Sequence, residues 1–82
     1  MNNNTMYEKY YMAMFEATSR MNSCAKEKDL LRNQTNYGAA TAYASILRDF
    51  GHEVDICVYG DGDYLISVKI IVDGKEKINF ED

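Results

Sequence analysis

Eighty-two residues with a net charge of −4, 46% of them apolar and 27% charged, make one small globular domain. Such a chain buries only roughly 60% of its unfolded surface, so each buried side chain matters. No apolar run approaches the length of a membrane span. No basic-then-apolar leader stands at the N-terminus, so a cytoplasmic protein is expected. The two cysteines, Cys24 and Cys57, lack metal or redox spacing and read as reduced thiols.

Charge is divided unevenly. Met1 to Phe50 carries six basic and five acidic residues, a net +1, and Gly51 to Asp82 carries three and eight, a net −5. An acidic half of this kind argues against direct nucleic-acid binding, which needs cations to replace counterions along the phosphates. An anionic membrane surface repels it as well.

Thr5-Met6-Tyr7-Glu8 has the spacing of a capping box and predicts a first helix over about 6–27. Tyr7, Tyr10, Tyr11, Met14, Ala17, Thr18, Met21 and Ala25 fall on one stripe at helical spacing. The stripe fails at Lys28 and Asp29, which would land on the apolar face. Arg32 to Asn36 is polar and reads as a connection, with Thr35 or Asn36 as the next cap. A second helix is predicted over about 37–50, with Ala39, Ala40, Tyr43, Ile46, Leu47 and Phe50 on one face. Met12 and Phe15 lie off the first stripe, where they extend the core or join a contact between copies. Gly51 stands where a helix ends in a left-handed residue.

From Val54 onward β-branched and aromatic runs are punctuated by Gly and Asp, which predicts strands over about 53–59, 64–71 and 75–81. The expected fold is α+β, in a single domain over 1–82. Two N-terminal helices pack on one face of a three-stranded antiparallel β-meander, in the order ααβββ. Paired residues must share a face, which tests the register. A three-residue loop Gly60-Asp61-Gly62 pairs Val54 with Val68 and Ile56 with Ile66. A two-residue Asp73-Gly74 turn would expel Ile78 and Phe80 from the apolar face. A loop Val72-Asp73-Gly74 instead pairs Val68 with Ile78 and Ile66 with Phe80. In that register Val68 is the centre of the core.

The chemistry-bearing residues favour bland roles. His52 is the one histidine, next to Glu53 and near Cys57, and reads as a helix C-terminal residue rather than half of a Cys-His pair. Asp61-Gly62-Asp63 lacks the further ligands of a calcium loop. The glycines are followed by a strand, not by the helix of a phosphate loop. No Gly-x-Ser-x-Gly motif appears. No catalytic residue, cofactor or metal is expected.

The outer sheet face is more informative. It is predicted to carry Asp55, Cys57, Tyr59, Leu65, Ser67, Lys69 and Ile71, an apolar patch rimmed by acids of the kind that suits a protein contact. The candidate partner-binding residues are Asp55, Tyr59, Asp61, Asp63, Leu65 and Ile71. Their carboxylates, with Glu81 and Asp82, would stand in for phosphates on another protein with a basic surface, and Tyr59, Leu65 and Ile71 would anchor it. Small acidic proteins of phages and mobile elements that block CRISPR or restriction machinery share this profile of size and charge, an analogy of composition and not of motif. The alternative is a homodimer, a self-associating structural protein joined through the third strand's free edge or the outer face.

Overall fold

The computed structural model describes residues 3–78. Helix α1 spans Asn3–Lys26 and helix α2 spans Leu30–Asp49; strands β1, β2 and β3 span Val54–Asp61, Tyr64–Val72 and Lys75–Ile78. The strands form one antiparallel sheet in the order β1-β2-β3. The two helices pack as a hairpin on the sheet, α1 against β2 and α2 against β1 and β2. This is the expected ααβββ arrangement.

The helix boundaries depart from expectation. Thr5 lies inside α1 and does not cap it. The connection expected over Arg32–Asn36 is helical, because α2 begins at Leu30. Asp29 caps it, its carboxylate accepting the Arg32 N–H at 3.2 Å. Periodicity misses these first two turns because their buried residue is Asn33, polar yet 0% exposed. Lys28 ends α1 at φ 63°, with its N–H donating to Ala25 O and the Asp29 N–H to Cys24 O. That is a Schellman cap with lysine in the position glycine usually fills. Gly51 ends α2 in the same way and as expected, at φ 99°, its N–H on Arg48 O and the His52 N–H on Leu47 O.

The core is Met14 from α1, Ala44 and Leu47 from α2, and Val54, Ile70 and Val72 from the sheet. Tyr7, Tyr10, Tyr11, Phe15, Tyr43 and Ile56 pack around it. Phe15 thus extends the core, while Met12 is 57% exposed.

The sheet register is not the expected one. Both turns are two residues long, Gly62-Asp63 joining the Asp61–Tyr64 pair and Asp73-Gly74 joining the Val72–Lys75 pair. Asp73 and Gly74 both have positive φ, at 52° and 83°, as the Asp-Gly hairpin requires. Ile70 therefore faces Lys77, and Ile78 pairs with Lys69 instead of Val68. Phe80, expected opposite Ile66, lies outside the described residues. The two tight turns are compatible because β2 carries one extra residue. Cys57 faces Lys69 and Val58 faces Ser67, leaving Val68 unpaired between them and 44% exposed. A bulge reverses the inside-outside alternation beyond it. Val54, Ile56, Ile70 and Val72 meet the helices on one side of the bulge, and Ser67, 1% exposed, does so on the other. Val68 is therefore not the core centre, and Ile66 and Leu65 exchange their expected faces.

Among the described residues β3 pairs with β2 only from Lys69 to Val72, and the Tyr64–Val68 end of β2 has no strand neighbour on that side. Two buried carboxamides take the strand's place. Asn22 of α1 accepts the Ser67 N–H through Oδ1 at 2.8 Å and donates through Nδ2 to Ser67 O at 2.8 Å. Asn33 of α2 does the same to Leu65, accepting its N–H and donating to its carbonyl, both at 2.9 Å, and also donates to Met21 O at 2.8 Å. Each amide pairs like one residue of a β-ladder, so the backbone groups that would be costly to bury unpaired are satisfied.

Candidate functional site

Positioning of the outer face follows from the bulge. Side chains alternate along β1, so Asp55, Cys57, Tyr59 and Asp61 point away from the helices. Their register partners Ile71, Lys69, Ile66 and Tyr64 lie across from them on β2. Neither α1 nor α2 packs on this side.

Of the six candidate residues, five stand on or beside this face. Asp55 and Asp61 are exposed on β1, Asp63 is exposed in the adjoining turn, Tyr59 is 53% exposed and Ile71 is half-buried opposite Asp55. Leu65 is the correction. It faces Gly60 beyond the bulge, on the helix side, with its backbone held by Asn33. Ile66 takes its place on the outer face opposite Tyr59. The sequence offered no signal for this exchange, since a strand with one more residue reads as the same run of β-formers. Glu81 and Asp82 lie outside the described residues.

The electrostatics are one-sided. Between Glu53 and Asp63 the chain holds four carboxylates and no lysine or arginine. On the neighbouring strand Lys69 is tied to Glu76 at 3.3 Å. The β1 side of the face is therefore acidic, with Tyr59 and Ile66 at its centre.

His52 does not meet Cys57. Its Nδ1 lies 2.8 Å from Asp73 Oδ2, and its ring lies 4.4 Å from that of Tyr7. The Asp73 carboxylate also accepts the Glu53 N–H at 2.9 Å, and the Asp73 N–H donates to Glu53 O at 2.8 Å. The Glu53 backbone bond first, and His52 second, hold the Asp73 carboxyl below its ordinary range. Burial, and then the Asp73 charge, push the Tyr7 phenol up. This group ties the β2–β3 turn to the start of β1 and presents no activated nucleophile.

A cavity of about 400 Å³ opens along the helix hairpin, lined by Arg20, Ser23, Cys24, Arg32 and Asn36. Its arginines lie 3.8 Å from Glu16 and 3.9 Å from Asp29, in exposed pairs. Among the described residues no group of three or more His, Cys, Asp or Glu side chains is placed to hold a metal, and no helix is long and apolar enough to cross a membrane. Comparison with protein-family models, with curated proteins and with solved structures returns no match.

Proposed function

We propose that this domain is a protein-binding module that docks on a basic surface of another protein through the β1 side of its open sheet face. The observation that carries the reading is the run of four carboxylates from Glu53 to Asp63, uncompensated by any cation in that stretch, beside exposed Tyr59. Asp55, Asp61 and Asp63 steer the encounter and occupy positions that phosphates take on the partner. Tyr59, Ile66 and Ile71 supply apolar contact after docking. A module of this kind would block a nucleic-acid-binding partner by competition, as an inhibitor encoded by a phage or mobile element would.

The test is binding kinetics against the partner isolated from the native host. Changing Asp61 and Asp63 together to Lys is expected to slow association by about tenfold and to flatten its salt dependence, because long-range attraction is screened over about 8 Å at physiological ionic strength. Tyr59→Ala is expected to raise the dissociation rate instead. Added nucleic acid is expected to displace the module. Unchanged affinity in both variants, with binding abolished by Met12→Glu, would move the contact to the helices and overturn the reading.

A further inference from the structure

The sheet's free edges are treated very differently. The unpaired end of β2 is closed by Asn22 and Asn33. On β1, Arg48 closes Val54 O with Nε at 3.1 Å and Nη2 at 2.8 Å. Strand β3 is four residues long and presents Lys75, Glu76 and Lys77, which blunts an edge. What is left open among the described residues is β1 from Ile56 to Gly60. In the observed register Asp55, Cys57, Tyr59 and Asp61 share their backbone bonds with β2, so the N–H and C=O groups of Ile56, Val58 and Gly60 point outward. The bonds made by Asn22, Asn33 and Arg48 fall where this alternation puts them. Among the described residues no side chain or backbone group is found on the outward groups of those three positions. The stretch contains no proline and no lysine.

We infer that this edge accepts an extended, basic segment of the partner as an additional β-strand. The inference rests on the binding reading above and adds its mode. Main-chain bonds to Ile56, Val58 and Gly60 would supply affinity, and side chains on alternate positions would supply specificity. The charge of β1 chooses the occupant. In the self-pairing that uses all three open residues, two antiparallel copies centred on Val58 put Asp55 of each across from Asp61 of the other. Like charges directly opposite are destabilising. A strand with Lys or Arg at those two positions meets opposite charges there, and Asp55 and Asp61 share a face with Tyr59 between them.

The experiment uses the full chain and a synthetic peptide, Lys-Val-Thr-Val-Thr-Val-Lys, whose lysines stand as far apart as Asp55 and Asp61. Titration followed by amide exchange is expected to slow the Ile56, Val58 and Gly60 amides at least tenfold. N-methylating one alternate set of peptide amides is expected to abolish binding while methylating the other set preserves it, since only one set faces the edge. Replacing both lysines by glutamate is expected to weaken binding at least tenfold. If the peptide binds with shifts on Tyr59 and Ile71 but neither methylated set loses affinity, the strand mode is overturned while the acidic-face reading stands. If neither the peptide nor the isolated partner responds to the charge of Asp55 and Asp61, both fall. Slow exchange of the three amides in the free protein, together with a dimer in sedimentation equilibrium, would replace the basic segment by a second copy.

Discussion

The two ends of β2 are held against the helices by different physics. At its C-terminal end Ile70 and Val72 pack on Met14, Ala44 and Leu47, where contact is non-directional and scales with buried area. At its N-terminal end Asn22 and Asn33 grip Ser67 and Leu65 through paired hydrogen bonds that accept one geometry only. The bulge at Val68 lies between them. An apolar end alone tolerates a slipped strand as long as it stays buried. The carboxamide end does not, because a slip strands buried donors and acceptors. The polar end therefore fixes the register, and with it which residues of β1 and β2 reach the outer face.

Asn33→Asp should break the polar end most severely. A carboxylate there still accepts the Leu65 N–H but turns an oxygen toward the Leu65 and Met21 carbonyls, so a buried charge goes unpaired. A loss of more than about 3 kcal/mol is expected in urea unfolding. Asn33→Leu, which leaves both Leu65 groups unpaired, should fall close behind. Ile70→Ala, at a fully buried position, tests the apolar end and should cost about 2–5 kcal/mol without altering the register. Amide exchange separates the two outcomes, since only the Asn33 variants should expose the Leu65 amide.

The Ser67 hydroxyl is buried beside the carboxamides with no hydrogen-bond partner among the described residues, so Ser67→Ala should raise stability by about 1 kcal/mol, seen as a higher melting temperature. Val68→Asp places a charge on the exposed extra residue and should shift stability by no more than about 1 kcal/mol. In the register expected from the turns alone the same change would unfold the domain, so one melt distinguishes them.

Asp73 makes the stability of the fold depend on pH. The folded-state pKa of Asp73 is depressed, so its ionised form contributes stability that is present above the ordinary carboxylate range and lost as pH falls through the depressed value. Asp73→Asn keeps an acceptor for the Glu53 N–H and a residue that tolerates positive φ. Its urea midpoint should lie below that of the unmodified protein at neutral pH and converge with it in acid. A constant gap across that range would show that the Asp73 charge is not what matters.

Local chemistry was enough for the order of elements. Helical spacing from Tyr7 to Ala25 and from Ala39 to Leu47, Gly51 as a C-terminal stop, and Gly-Asp punctuation between β-branched runs each act over a few residues, and the structure has all three. Asp55, Tyr59, Asp61 and Ile71 were placed on the outer face by the alternation of β1 and the far end of β2, which the bulge leaves intact. The start of α2, the face of Leu65 and the exposure of Val68 were decided only in the tertiary structure. Each depends on a polar residue, Asn22 or Asn33, whose burial is favourable only once a strand edge from the other end of the chain arrives to bond it. A hydrophobic pattern counts such an asparagine as surface. The Asp73-Gly74 turn shows the same limit, because its local preference for a two-residue hairpin holds in the structure against the register that burial of Ile78 and Phe80 favours. One extra residue in β2 reconciles that turn with a buried core, and an insertion that repeats the composition of its strand leaves no mark in the sequence.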